Sequence, residues 1–198
     1  MIRPILRSRL AVIACAAAVC VAAAAACGNF TGVPASLPTI SDTGTVYAIN
    51  GAPPGAPSAL HVFTGSLTSA DANFLFDIAF DIDANGNIVI LPQRTVASGL
   101  AASHTVGLQK DSVTSFDALD RAPNTGYRAD TALVVKPNQI VLVQSSDPNA
   151  CGVSITGTTI YAKVQITEVS TSQRIMKLRW TTDPNCGFRS FAVGIPKD

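Results

Sequence analysis

The sequence predicts an all-β domain, an antiparallel sandwich or barrel of about eight or nine strands. Three observations predict it. Apolar and polar residues alternate at period two in several stretches, turn-forming clusters such as Asn-Gly and Asp-Pro-Asn separate them, and almost no segment carries a helical period.

Residues 1–26 have the layout of a bacterial export signal. Arg3, Arg7 and Arg9 precede an alanine-rich apolar run from Leu10 to Ala26, which stops at Cys27. The run is short and alanine-rich for a spanning helix, which needs about 20 strongly apolar residues. Ala24-Ala25-Ala26-Cys27 resembles a relaxed lipobox with alanine in the place of the usual leucine. After such a motif bacterial lipoproteins are cleaved, and the new terminal cysteine is acylated. Cysteine parity favours this over cleavage at a plain Ala-x-Ala site. Cys15 and Cys20 leave with the signal, so Cys27, Cys151 and Cys186 remain, and an odd thiol is out of place in an oxidising compartment. Lipidation at Cys27, palmitate included, uses the odd one. Gly28 follows the cysteine where aspartate does not, a feature that resembles outer-membrane sorting in double-membraned bacteria. Without lipidation the chain would be secreted. Residues 27–43 read as the lipidated cysteine and a flexible tether, because Gly28 to Thr43 is rich in Gly, Pro, Ser and Thr.

Residues 44–198 are enough for one domain with a real core. Thr45–Asn50 and Ala59–Phe63 read as short strands around the proline-rich loop Gly51–Pro57. From Phe74 to Ile82 the even positions are Phe74, Phe76, Ile78, Phe80 and Ile82, the buried face of a strand. Asp77, Asp81 and Asp83 fall on the other face, where solvated side chains are expected. Asn85-Gly86 reads as a two-residue hairpin turn into Asn87–Leu91. With that turn Val89 and Leu91 would join the aromatic face, while Ile88 and Ile90 would share the aspartate face and could line a cavity. Ser103–Leu108 and Thr131–Lys136 are further strands. Ser115–Arg121 reads as one or two helical turns capped by Ser115 and ended before Pro123.

The C-terminal third predicts a four-stranded meander: Gln139–Gln144, Thr158–Thr167, a strand through Met176, Leu178 and Trp180, and Phe188–Ile195. Asp147-Pro148-Asn149-Ala150-Cys151-Gly152 and Asp183-Pro184-Asn185-Cys186-Gly187 follow its first and third strands. Both are turn chemistry. In an up-down meander the two turns lie at one end, so Cys151 and Cys186 are expected to form a structural disulfide.

Motifs for chemistry are few. Net charge is +1, with no basic patch, so nucleic acid is not an expected partner. No nucleophile elbow, zinc-protease helix, phosphate loop or dinucleotide fingerprint is present. A distributed Ser-His-Asp arrangement is invisible to sequence spacing. Asp81-Ile82-Asp83-Ala84-Asn85-Gly86 matches half of a calcium loop, making Asp81, Asp83 and Asn85 the calcium candidates. Pro92 stands where that loop requires glutamate, and a hairpin tip explains the same residues. Tyr161-Ala162-Lys163-Val164-Gln165-Ile166 resembles a strand of haem-binding bacterial surface lipoproteins, which are β-rich and hold haem between two histidines. The resemblance would make His61 and His104 axial ligands; the plainer expectation is a strand residue at His61 and an exposed loop residue at His104. No cofactor is expected. The sequence therefore predicts a non-enzymatic envelope module anchored to a membrane through Cys27, with another envelope protein as a candidate partner. A carrier of haem, calcium or a small apolar molecule is the alternative, and a hydrolase comes third.

Overall fold

The computed structural model describes residues 34–71, 75–97, 104–112, 115–146, 148–151 and 157–196. The export segment, the lipobox and Cys27 lie outside the described residues. The described chain is nearly all β, in two antiparallel sheets. One sheet runs β1 (Ile40–Tyr47), β11 (Ile175–Asp183), β10 (Thr159–Ser170), β9 (Ile140–Ser146), β6 (Thr105–Lys110) and β7 (Arg128–Ala129). The other runs β3 (Ser66–Thr68), β2 (Ala59–His61), β4 (Ile78–Ile82), β5 (Ile88–Pro92) and β8 (Leu133–Val135). Neither sheet closes on itself. Two four-residue helices, α1 (Gln93–Val96) and α2 (Pro148–Cys151), complete the elements.

One apolar cluster draws on both sheets: Leu60, Ile78, Phe80 and Ile90 from the smaller, and Leu108, Val143, Val164 and Leu178 from the larger. Polar bonds add to it at the β2–β3 turn. Trp180 Nε1 donates to Gly65 O at 3.0 Å and Thr182 Oγ1 to Val62 O at 2.6 Å, both from β11.

The hairpin after β4 differs from expectation by one residue. Ile82 pairs with Ile88 and Phe80 with Ile90, and Asp83 N–H donates to Asn87 O at 2.9 Å, so the loop holds three residues, 84–86, with Gly86 alone at positive φ (80°). A three-residue loop of this kind ends in a glycine bulge. Because side chains alternate, one extra residue moves the whole of β5 to the other face. Ile88 and Ile90 therefore enter the core at 3% and 1% exposure, and cannot line a cavity on the aspartate face. The strand itself is shorter than its periodicity suggested, and Phe74 lies outside the described residues.

At the N-terminus, β1 starts at Ile40, inside the stretch read as tether, and pairs with β11 over eight residues. An edge strand is held by backbone bonds, so Ser41, Asp42 and Thr43 serve there without large apolar side chains. The residues before it are fixed as well: Asn185 Oδ1 accepts the N–H groups of Ser36 and Leu37, and Asn185 Nδ2 donates to Leu37 O.

The C-terminal meander has three strands, not four. Phe188–Ile195 makes an isolated bridge from Ser190 to Arg121, and β1 takes the place beside β11 instead. Gly187 and Gly194, with φ of 84° and 99°, turn the chain where a strand would run extended. The helical turns expected over Ser115–Arg121 are also absent. Lys163 Nζ takes the Phe116 and Leu119 carbonyls at 2.7 and 2.8 Å, and Pro123 has no N–H to offer Leu119. Phe116, Leu119, Ala122 and Phe191 instead pack on Ile140, Leu142 and Tyr161 of the larger sheet's outer face. That sheet is thus covered on both sides.

Cys151 and Cys186 form the expected disulfide across 35 residues, with their Cα atoms 5.7 Å apart. Loop-closure entropy assigns such a bridge about 3–4 kcal/mol. Replacing both cysteines by serine should lower the unfolding free energy by about that amount, read as a shift of the urea midpoint at unchanged slope.

Candidate functional site

A buried polar arrangement lies between the sheets, at Asp77. Its backbone is fixed first: Asp77 N–H donates to Leu60 O at 2.9 Å, and Gln93 N–H donates to Asp77 O at 2.8 Å. Phe76 and Ile78 on either side are fully buried. The carboxylate between them is 2% exposed. Its Oδ2 accepts the Val62 N–H at 2.5 Å. Its Oδ1 accepts the Ser145 hydroxyl in a short hydrogen bond and stands 2.9 Å from His104 Nε2. Ser145, on β9, is fully buried, and His104, just before β6, keeps 12% of its side chain exposed. A carboxylate of the smaller sheet is therefore bonded to two side chains of the larger.

The three residue types are those of a serine hydrolase, but the wiring is not. Catalysis needs the carboxylate on one imidazole nitrogen and the serine on the other, so that the imidazole can take the hydroxyl proton. Here one nitrogen, Nε2, faces both Asp77 and Ser145, the latter at 3.1 Å. The Ser145 proton goes directly to Asp77. A fully buried hydroxyl pointing at a carboxylate is a packed donor, not a nucleophile. What this arrangement can do is hold two sheets together. Sequence reading placed Asp77 on a solvated face and His104 in an exposed loop; both expectations are corrected, because the partners that bury them sit 27 and 68 residues away along the chain.

The haem candidates do not share partners. His61 Nδ1 bonds to Thr64 Oγ1 at 2.8 Å, while His104 is engaged with Asp77 and Ser145. The calcium candidates are likewise directed elsewhere. Asp81 receives Asn50 Nδ2 at 2.6 Å and Arg174 Nη2 at 2.9 Å. Asp83 curls over its own hairpin, accepting Asn85 N–H, Asn87 N–H and Asn87 Nδ2 at 2.8 to 2.9 Å. The Asn87 side chain, followed by its backbone amide, holds the Asp83 carboxyl below its ordinary range. Among the described residues no group of three His, Cys, Asp or Glu is placed to hold a metal ion. Asn85 is exposed at the tip.

A second buried charge, which the sequence did not signal, is Lys163 on β10. It is 4% exposed, under the 115–127 and 188–191 segments. Its ammonium bonds the two carbonyls named above and lies 4.4 Å from the Phe116 ring centre and 5.5 Å from that of Phe191. Burial lowers its pKa, which Asp117 and Asp120 oppose and Arg179 reinforces. Arg179 covers Phe116 at 4.3 Å and bonds Gln165 Oε1 at 2.7 Å. A groove of about 380 Å³ runs alongside, edged by Asp42, Asp117, Arg179 and the bonded hydroxyls of Ser41 and Thr181. The Arg179 guanidinium is already engaged, so among the described residues the groove has no free cation.

The chain matches no protein-family model, no curated protein and no solved structure.

Removing the Asp77 carboxylate leaves the Val62 amide, Ser145 and His104 facing a void. Asp77→Ala should therefore lower the unfolding free energy by about 3 kcal/mol or more, measured by urea denaturation. His61→Ala should change it by about 0.5 kcal/mol or less.

Lys163 adds a pH signature. Its folded pKa lies below the ordinary 10.5, so between the two values the unfolded chain binds more protons and the unfolding free energy rises with pH. Burial raises the Tyr127 phenol above its ordinary 10.0, so its contribution is instead lost as pH rises beyond 10. Denaturation curves across the alkaline range should show a rise and then a fall, and Lys163→Met should remove the rise alone.

Proposed function

We propose that the protein is a non-enzymatic binding or structural module of a bacterial envelope, held to a membrane by lipid on Cys27. The observation that carries this reading is the Cys151–Cys186 pair. Of the three cysteines left after the export signal, two are joined, and Cys27 is the one that remains for acylation. Glycine after the cysteine favours the outer membrane as the destination.

The non-enzymatic half rests on where the chemistry sits. Asp77, His104 and Ser145 are bonded to one another in the interior, and Asp81 and Asp83 to their own neighbours. The carrier alternative loses a main support with Ile88 and Ile90, which fill the core. We read the two open sheets and their shared core as a β-sandwich, a frame that presents faces and loops to another envelope protein and needs no cofactor.

The test is the mass of the full-length chain expressed with its own leader in a double-membraned host and extracted gently. The expected species begins at Cys27, carries acyl chains and is two protons lighter than the reduced form. A chain of unmodified mass starting at any other residue refutes the anchor.

A further inference from the structure

Five large apolar side chains are markedly exposed among the described residues, and three of them lie on one pair of bonded segments. Leu37 is 44% exposed, Val193 96% and Ile195 53%. Leu37 belongs to the segment leading into β1; Val193 and Ile195 belong to the chain that follows β11. The two segments are laced together by Thr39, whose N–H donates to Gly194 O at 3.0 Å and whose hydroxyl donates to Ala192 O at 2.8 Å. Asn185 then fixes Leu37 from both sides of its peptide. Asn185 is itself 7% exposed and bonded to Asp183, next to the disulfide at Cys186. Segments held this firmly are not frayed ends.

Chain length says what lies nearby. Cys27 precedes Pro34 by seven residues, which span at most about 25 Å when fully extended. If Cys27 carries lipid, Pro34 is kept within that distance of the bilayer surface, and Leu37, three residues further on, within about 36 Å. Apolar side chains on an anchored protein gain by entering the boundary between headgroups and acyl chains, which lies about 5–10 Å deep. We propose that Leu37, Val193 and Ile195 form an apolar foot that rests in the lipid surface beside acylated Cys27 and fixes the orientation of the domain. The inference rests on the anchor reading. Affinity comes from the acyl chains; the foot supplies orientation.

The test uses full-length acylated protein bearing Val193→Cys. Cys15 and Cys20 leave with the signal and the other cysteines are lipidated or paired, so the new thiol alone takes an environment-sensitive fluorophore. Val134→Cys, at the outer edge of the smaller sheet and 50% exposed, is the control. Both are placed in vesicles of phosphatidylethanolamine and phosphatidylglycerol, some of whose lipids carry a nitroxide near the headgroup. The label at residue 193 should shift to the blue and be quenched several-fold more than the label at residue 134. Equal quenching overturns the foot and leaves the anchor intact. A blue shift without quenching means that protein, a second copy or another partner, covers the patch, and also overturns it. A mass without acyl chains at Cys27 overturns anchor and foot together, and is read separately on the same sample.

Discussion

The Asp77 carboxylate is the constraint on which the rest of the fold depends. Apolar packing between two sheets is close to non-directional, and several offsets of one sheet over the other would bury similar area. A buried carboxylate allows far fewer. It must find donors where it stands, and the Val62 amide, Ser145 and His104 supply them from both sheets at once. Leaving such a group unmatched costs more than the match gains, so the interaction acts chiefly by excluding other arrangements. The same turn accepts Thr182 at Val62 O, and the neighbouring Gly65 accepts Trp180, so the polar contacts between the sheets concentrate in one region.

The larger sheet solves a different problem on its outer face. Tyr161, Lys163 and Gln165 alternate outward on β10, yet all are buried. An irregular cover brings aromatic rings and unused carbonyls to a lysine that would otherwise be solvated. The ammonium gives the Phe116 carbonyl the donor that a helix would have supplied, and gives the Leu119 carbonyl one that Pro123 lacks. Burial makes that charge expensive, and two carbonyls and two ring faces offset part of the cost. The outcome is a second small core whose polar centre is a single side chain.

How much of this was legible follows from where each signal resides. The disulfide, the proline loop and most strands were readable because alternation, turn residues and cysteine parity are local properties of the sequence. The register of β5 was not, since one residue in a turn decides which face Ile88 takes, and Ala84-Asn85-Gly86 suits a three-residue loop as well as Asn85-Gly86 suits a two-residue one. Strand β1 was read as starting five residues late because an edge strand carries its information in backbone bonds. Asp77 looked like a surface residue, and nothing local marked Lys163 as buried, because their partners are distant along the chain. The aspartates at 81 and 83 matched a metal pattern for a related reason: hairpins and calcium loops both want short acidic side chains beside glycine.

The clamp at Asn185 also decides where mechanical tension enters the domain. A pull on the N-terminal chain reaches Ser36 and Leu37 before it reaches Ile40, so Asn185 is met before the β1–β11 ladder. Asn185 adjoins Cys186, and its disulfide passes the force to Cys151, beyond β9. Strain applied there is therefore shared between a covalent bridge and two strands further inside the sheet. The edge strand, the element easiest to peel, is shielded from acting as the first link of the chain under tension.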